Sequence, residues 1–457
     1  LLESAREREI QESYLRCVRW LLSVRAADGS FIRTYNPLTR HVAKDYPLRH
    51  HLLTIEPLLR VYEATLDERI AEAANAALRY AEKSVVDTES PPPEAALDTR
   101  APLLKGVPIS FLPLPREETA GGTRYVPQAR EARGRYYGMD IATGTAMLLA
   151  AECRRAQIMR TGVTGLMRGL GRTLVLLTAQ DGRMGSSWAY LERPAGGVHE
   201  THSETPGRAI YALCLLHEQD PSGTAWLSTA RRIGRYRLVP DRNTESRTPW
   251  DIIGLSMLYL AIRPEETQKA SDYDERMEFC TGAYVHAGGL LAAIDRAYEL
   301  GTVVERKQTV KFHWPGHAPY PDYVGGFADT DPPDVANASV RLSALAAAYK
   351  VAIVKEAARE QRAVSFRNVA RDVVPAIACF IMRQQFGQGG TFYVPNGRLV
   401  DGAFRTSPDN FEVRLSTCAQ AMTALMDCIT VMEIRRLEVP EQAGEQPAAA
   451  PAPKMPQ

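Results

Sequence analysis

The chain has 457 residues, of which 45% are hydrophobic and 24% are charged, and this is the composition of an ordinary globular protein. Its 55 basic and 54 acidic side chains leave a formal net charge of +1, which provides no overall field to hold a polyanion, so we expect no nucleic-acid partner. No apolar run reaches the roughly 18–20 residues that a membrane-spanning helix needs, so we also expect no membrane span in this chain.

The two ends of the chain differ in composition from the rest. Residue 1 is leucine and the residues after it are already charged, which fits a removed leader or a trimmed chain; we favour export or the cell envelope over the cytoplasm. Residues 437–457 are rich in Ala, Pro, Glu and Gln and can bury almost nothing, so we predict a disordered tail. The seven cysteines lie in apolar stretches without CxxC spacing, which predicts buried free thiols.

Between the ends, the hydrophobic period is helical and two kinds of helix alternate. Amphipathic helices with one charged face are predicted at 3–27, 67–86, 155–179, 221–237, 272–299 and 357–386. Helices that are apolar nearly all round are predicted at 49–64, 139–154, 206–218, 250–262, 336–353 and 411–434. The apolar helices must be covered on all sides, whereas the amphipathic ones need cover on one side only. The alternation therefore predicts an all-α fold of two concentric rings, an (α/α)6 toroid that spans residues 1–436 as a single domain.

Loop lengths favour the same architecture. Connections from an apolar helix to the next amphipathic one are short, whereas the connections in the other direction are long. The long connections are predicted at 28–48, 87–138, 180–205, 300–335 and 387–410. Because helix direction alternates around the ring, all the long loops must emerge on one face, where binding and catalysis are expected.

Several amphipathic helices also end in the same way. A glycine is followed within two residues by an aromatic residue or methionine at 27–31, 180–184 and 388–392. Glycine supplies the left-handed residue that ends a helix, and the apolar residue then folds back onto the ring. These turns indicate degenerate internal repeats.

The helix alternation and these turns resemble the six-hairpin toroid superfamily over most of residues 3–436. That superfamily includes glycoside hydrolases, polysaccharide lyases and sugar epimerases, with terpene-cyclase and prenyltransferase toroids as relatives. The resemblance implies a toroid that processes a polysaccharide, although no single family's signature is intact. The segment Asp272-Tyr273-Asp274-Glu275 comes nearest to the acid motif of the terpene cyclases, but it departs from that motif and lies at the start of an outer helix.

Candidate site residues lie at or near the N-termini of the apolar helices or in the long loops. These N-termini point toward the long loops, and their partial positive charges favour an anionic group such as a uronate carboxylate. We predict catalytic roles for Tyr46, His50, Asp140, Asp251 and Glu412. We predict substrate-binding roles for Arg49, Tyr137, Arg208, Trp250, Trp314, Asn337, Arg341 and Arg414.

Two kinds of carbohydrate chemistry would use such residues. Proton abstraction at C5 of a uronic acid needs an acid or base such as Tyr46 or His50 beside a cation such as Arg49. Glycoside hydrolysis needs two carboxyl groups on opposite sides of the sugar bond, and the sequence leaves open which carboxylates face each other. Aromatic rings such as those of Trp250 and Trp314 would supply the flat apolar surface that sugars prefer.

Structural alternatives stand beside these roles. Asp140, Asp251 and Asn337 are residue types that cap helix N-termini, and His50 can bond a loop carbonyl. Arg414, close to Glu412, can form a substrate clamp, which we favour, or a salt bridge at the rim.

The sequence predicts neither a metal nor another cofactor. The segment 199–204 contains two histidines and two glutamates but lacks the helical HExxH arrangement. No nucleotide-binding loop or nucleophile elbow is present.

We therefore expect an enzyme that acts on a polysaccharide or oligosaccharide, with uronic acid in it, by hydrolysis, β-elimination or epimerisation. The alternative is a non-catalytic toroid that binds a glycan or a protein partner in a cell-envelope polysaccharide system. Isoprenoid cyclisation is a third option, which would need an apolar central cavity beneath an exposed acid.

Overall fold

The structure, a computed structural model, describes residues 2–43, 46, 48–88, 109–111, 116–119, 122–125, 141–185, 204–239, 248–262, 270–293, 321–327, 330, 332–354, 360–387, 391 and 394–438. The described residues form twelve α-helices, numbered α1–α12 in chain order. The odd-numbered helices are α1 Leu2–Ser23, α3 Glu68–Glu82, α5 Gly165–Leu176, α7 Thr224–Leu238, α9 Ala270–Ala293 and α11 Gln361–Arg383. The even-numbered helices are α2 Leu48–Thr65, α4 Ile141–Met159, α6 Thr205–Gln219, α8 Pro249–Ala261, α10 Val335–Ala352 and α12 Leu415–Glu438.

The even-numbered helices form a closed inner ring. Each one packs against the next, and α12 packs against α2. The odd-numbered helices lie outside, each against the inner helix that precedes it, while α1 packs against α12. The first and last helices of the toroid therefore make the sixth hairpin together. The predicted (α/α)6 toroid is confirmed, because the apolar helices are inside and the amphipathic ones outside.

Inner helix α12 shows why its sequence is so apolar. Among the described residues, the segment Leu415–Arg435 is the one long helix that could cross a membrane by length and composition alone. In the toroid, 72% of this segment is buried between α10, α2 and α1. A position in the inner ring accounts for its composition.

Several helix boundaries differ from prediction, among them the end of α4, the start of α5 and the start of α12. Helix α4 does not end at Arg154 but continues to Met159, because its first charged residues face the cavity or the neighbouring helix instead of a loop. Helix α5 begins only after Thr164, whose hydroxyl accepts a hydrogen bond from the Met167 amide and caps it. At the predicted start of α12, residues 413–414 form a strand, and the helix begins at Leu415.

Short strands lie in the loops that lead to inner helices. Strands β1 Thr34–Asn36, β2 His41–Val42 and β7 Val413–Arg414 form an antiparallel sheet in the order β2-β1-β7. This sheet joins the first long loop to the last. Strands β3 Val86–Thr88 and β4 Ile109–Phe111 make one further hairpin, and β5 Arg116–Thr119 and β6 Gly122–Tyr125 make another.

Four glycine turns pack against neighbouring outer helices. Gly29, Gly182, Gly325 and Gly402 all have φ between 88° and 95°. Each lies against a backbone carbonyl of another outer helix, in α3, α7, α11 and α1 respectively. The turns predicted at 27–31 and 180–184 are confirmed, with β-bridges closing both. Residues 388–390 and 392 lie outside the described residues, and the turn after α11 that the structure describes is at Gly402.

The Gly182 turn yields a stability prediction. A Cβ at this position would lie 2.0 Å from the carbonyl oxygen of Arg232, and φ is +89°. Gly182→Ala is therefore expected to lower the free energy of unfolding by about 2–4 kcal/mol, measured by urea denaturation. Gly162→Ala is the control, because nothing lies within 4 Å of its added Cβ. Equal stability of the two variants would contradict the close packing of Gly182 against the Arg232 carbonyl.

A buried carboxyl group between α3 and α4 makes stability depend on pH. The Glu152 side chain is 1% exposed and lies 2.6 Å from Nη2 of Arg155. Burial, reinforced by neighbouring Glu82, raises the pKa of Glu152 from 4.5 to about 8. The folded protein therefore holds this proton more tightly than the unfolded chain does. Stability from this group is present below pH 4.5 and is lost progressively as pH rises toward 8.

Glu152→Gln is expected to remove this dependence, because the amide does not titrate. The variant should be more stable than the wild type at pH 8 by about 1–3 kcal/mol, and its stability should change less between pH 5 and pH 8. Urea denaturation at several pH values measures both effects. Glu72→Gln, at a side chain that is 70% exposed, is the control and should keep the wild-type profile. An unchanged slope in Glu152→Gln would show that another group is responsible.

Candidate functional site

The inner ring encloses a cavity of about 330 Å³ that is lined by residues from all six inner helices. It extends from Arg208 and Trp250, near the helix N-termini, to Arg154 and Lys350, near the helix C-termini. The described residues directly before the inner helices lie on the N-terminal side, so one end of the cavity faces the places where the long loops enter these helices. Its charged and larger aromatic lining residues are Glu56, Arg60, Arg154, Arg208, Tyr211, Trp250, Lys350 and Asp427.

A charged cluster lies at the end of the cavity near the loops. Arg49 Nη2 is 2.9 Å and Arg208 Nη2 is 3.1 Å from the same Glu204 carboxylate oxygen. The Arg208 guanidinium also stacks over the Trp250 ring, 3.8 Å from its centroid. Burial lowers the pKa of Arg208 to about 10 although Glu204 opposes the shift, so the side chain remains a cation at neutral pH. This end presents a cation and a flat aromatic surface together.

A hydrogen-bonded group occupies the middle of the cavity. The Tyr211 hydroxyl donates a hydrogen bond to Oε1 of Glu56, and the Tyr211 ring packs edge-on against Trp250. Burial and the nearby Glu56 carboxylate raise the pKa of Tyr211, so its hydroxyl stays protonated. Burial alone would lower the pKa of Arg154, but Tyr211 and Glu56 more than offset this effect. Glu56 is thus positioned by a phenol and by a cation.

The half of the cavity away from the loops carries more positive than negative charge. Arg60 Nη2 lies 2.7 Å from Oδ1 of Asp427. Lys350 lines the same region, and burial lowers its pKa. Over the whole cavity, the lining residues include four cations and two carboxylates. The cavity therefore suits a polar ligand with negative charge.

Asp251 occupies a structural position outside the cavity lining. Its side chain is 1% exposed and accepts hydrogen bonds from Arg237 Nε at 2.9 Å and Arg237 Nη2 at 2.6 Å. Its second oxygen also accepts from the Thr248 amide at 2.9 Å, which completes a capping box. The geometry favours the capping alternative for Asp251.

Tyr46 likewise packs against the outer ring. Its hydroxyl accepts a hydrogen bond from the Phe31 amide and lies 2.7 Å from Nδ1 of His51. The other ring nitrogen of His51, Nε2, is hydrogen-bonded to the Ala77 carbonyl. Burial lowers the pKa of His51 to about 4. This neighbourhood ties the first loop to α3. His50 is half-buried at the start of α2 and is not one of the described cavity-lining residues.

The remaining predicted residues divide into three groups. Arg208 and Trp250 line the cavity, and Arg49 joins them through Glu204. Glu412, Arg414, Arg341 and Asn337 are not among the described cavity-lining residues. Glu412 pairs with Arg414, and Arg341 stacks over Phe327 at 4.4 Å. The backbone amide of Asn337 donates a hydrogen bond to the Asp334 carboxylate. Asp140, Tyr137 and Trp314 lie outside the described residues.

The sequence reasoning missed the polar residues in the middle of the inner helices. Glu56, Arg154, Tyr211, Lys350 and Asp427 line the cavity but lie away from any helix N-terminus. Their signal was the presence of charged or hydroxyl-bearing residues inside helices that are otherwise mostly apolar. Among the described residues, no cluster of three His, Cys, Asp or Glu side chains could hold a metal ion.

Comparisons with known proteins establish the fold. The structure is similar to that of the GH76A α-1,6-mannanase from Salegentibacter sp. HEL1_6, with a TM-score of 0.51 and 10% sequence identity over 92% of this chain and 99% of that chain. It is also similar to an inactive variant of that mannanase in complex with α-1,6-mannotetrose, in which two consecutive aspartates are replaced by alanine, with a TM-score of 0.50, 11% identity and the same coverage. No protein-family model and no curated protein sequence matches the chain.

Proposed function

We propose that this chain is a carbohydrate-active enzyme that hydrolyses a polysaccharide containing uronic acid. The observation that carries the proposal is the inner-ring cavity, where two carboxylates, an edge-on aromatic pair and four cations line one space. The likeness in fold to an α-1,6-mannanase over 92% of the chain supports a glycan as the ligand. The charge balance of the cavity favours an acidic glycan over a neutral one.

Glu56 and Asp427 supply the two carboxyl groups that glycoside hydrolysis requires. They come from α2 and α12 and line the same cavity. In the proposed reaction, Glu56 and Asp427 act on opposite sides of the sugar bond, the protonated one as general acid toward the leaving oxygen and the ionised one as base or nucleophile. The Tyr211 hydroxyl holds the Glu56 carboxyl group in place, and Asp427 is ion-paired with Arg60. Trp250 provides the surface against which a sugar ring stacks.

The same cavity offers the parts for β-elimination or epimerisation. Both reactions remove the proton at C5 of a uronic acid and need a cation to neutralise the adjacent carboxylate. Arg154 is a cation near the protonated Tyr211 hydroxyl. Lys350 is a second cation in the same cavity. The product distinguishes these reactions from hydrolysis. The six charged lining residues do not suit isoprenoid cyclisation, which needs an apolar cavity.

A second candidate is a non-catalytic toroid that binds a glycan or a protein partner in a cell-envelope polysaccharide system. Two observations favour it. The sequence contains no two consecutive aspartates, the feature replaced in the inactive mannanase variant. The described carboxylates at the loop end, Glu204, Asp251 and Glu412, all form ion pairs with arginines.

A panel of acidic and neutral polysaccharides tests both candidates. We expect new reducing ends from at least one acidic polysaccharide and none from neutral α-1,6-mannan. Ultraviolet absorbance of an unsaturated uronate would instead reveal β-elimination, and exchange of the C5 proton with deuterated solvent would reveal epimerisation. Binding of a glycan without any product would favour the non-catalytic candidate. Absence of both binding and product across the panel would overturn both.

A further inference from the structure

We propose that Arg154 and Lys350 form a binding site for the carboxylate of an acidic sugar, in the half of the cavity farther from the long loops. The inference rests on the proposed function and adds the residues that select the charged substrate. Arg154 lies five residues before the end of α4, and Lys350 lies two residues before the end of α10. Both helices begin at the loop side, so Arg154 and Lys350 line the far end of the same cavity from opposite sides of the inner ring.

The two carboxylates of the cavity already have partners. Asp427 is paired with Arg60 at 2.7 Å, and Glu56 accepts the hydrogen bond of Tyr211. Among the residues that the structure describes, no carboxylate forms an ion pair with Arg154 or Lys350 within 4.0 Å. Arg154 Nη1 donates to Gln157 at 2.9 Å, while its buried Nε has no hydrogen-bond partner. Although Tyr211 and Glu56 stabilise the Arg154 cation, its Nε and the Lys350 ammonium group remain available as donors in the cavity.

Desolvation makes the charged form of Lys350 costly without an anion. A cation removed from water is unfavourable unless an opposite charge or hydrogen-bond acceptors replace the solvent. Lys350 carries the signature of such burial, because desolvation lowers its pKa, and the neighbouring cations Arg60 and Arg154 add to this effect although Asp427 opposes it. A carboxylate between Arg154 and Lys350 would accept hydrogen bonds from both. The planar guanidinium of Arg154 matches carboxylate geometry.

The rest of the lining fits a sugar ring better than an inorganic anion. Ser343 lies seven residues before Lys350 on the same face of α10, and Thr423 lies one turn before Asp427 on α12; both line the cavity. Their hydroxyls, with the amide of Gln420, offer partners for sugar hydroxyls. Met257 and Leu260 provide apolar surface on α8. The cavity volume of about 330 Å³ lies at the lower end of the roughly 300–1,000 Å³ typical of small-ligand sites.

Isothermal titration with D-glucuronate, D-glucose and inorganic phosphate tests the site without requiring turnover. We expect the wild type to bind glucuronate more tightly than either of the other two. Lys350→Gln should weaken glucuronate binding about 10- to 100-fold, which is the usual effect of losing a charge-assisted hydrogen bond, and should leave glucose binding unchanged. Lys350→Arg should retain most of the affinity. Lys83→Gln, an exposed lysine at the end of α3, is the matched control.

Three results would overturn the site: unchanged glucuronate binding in Lys350→Gln, an equal loss in Lys83→Gln, or phosphate binding as tight as glucuronate binding. Circular dichroism establishes that each variant folds, and Arg154→Gln repeats the test independently if Lys350→Gln does not fold. Failure of the proposed function looks different. Cleavage of acidic glycans with an unaltered preference in Lys350→Gln overturns this site alone, whereas glucuronate binding that depends on Lys350 without activity on any glycan overturns the hydrolase.

Discussion

Asp251→Ala is expected to lower the free energy of unfolding by about 3–5 kcal/mol, which is the usual effect of breaking a buried ion pair. Asp251 is 1% and Arg237 is 8% exposed. Removing the carboxylate takes the ion-pair partner Asp251 away from the buried guanidinium of Arg237 and removes the acceptor for the Thr248 amide. Urea denaturation measures the change, and thermal unfolding should show a lower Tm.

The control for this prediction is Asp181→Ala. That carboxylate lies on the surface, 4.0 Å from Arg183, with a side chain that is 41% exposed, so its loss should change stability by less than about 1 kcal/mol. The sequence also allowed a catalytic role for Asp251. A variant that keeps the wild-type stability but loses all turnover would support that role and contradict the structural one.

Glu56→Gln is expected to reduce kcat/KM about 100- to 10,000-fold on the acidic polysaccharide that the wild type cleaves, the range for loss of a general acid or base. The amide can still accept the hydrogen bond from Tyr211, so the variant should fold normally. Asp427→Asn should show a loss of similar size, because it removes the second carboxylate of the cavity. Steady-state kinetics with circular dichroism on the same preparations separates activity from folding.

Glu412→Gln is the matched comparison for the kinetics. Glu412 pairs with Arg414 beside β7, away from the described cavity lining, and we expect its replacement to change kcat/KM by less than about tenfold. Asp140→Asn extends the comparison to the position directly before α4. If Glu412→Gln or Asp140→Asn abolishes turnover while Glu56→Gln retains it, catalysis takes place at the loop face and the cavity assignment is wrong.

Hydrophobic periodicity was sufficient to predict the architecture. A run such as residues 252–260, apolar on every side, can be stable only inside a ring, while α3 needs cover on one face. Boundaries were less predictable where charge entered an inner helix. The sequence pattern predicts that α4 ends at Arg154, yet a cavity inside the ring accommodates charged residues without a loop. Periodicity cannot distinguish a helix that faces solvent from one that faces an enclosed polar cavity.

The site was harder to predict than the fold, because residue type alone does not separate capping from catalysis. Asp251 has the sequence position of a catalytic carboxylate and the geometry of a capped, ion-paired one. Arg208 and Trp250 were found because helix N-termini converge on the loop face. Glu56 and Asp427 were missed because their importance depends on which face of the helix points inward, and that is set by tertiary packing.

The pairing of α1 with α12 has a consequence for how the chain folds. Cys17 donates a weak hydrogen bond to the carbonyl of Cys418, 401 residues away in the sequence. The Gly402 turn packs against the backbone carbonyl of Arg16. The other hairpins join neighbouring helices and can form as the polypeptide emerges during synthesis. The sixth must wait for the whole sequence between its halves. Helix α1 is therefore synthesised before the other described helices of the ring, and we expect it to reach its native partner last, so that ring closure is a late step in folding.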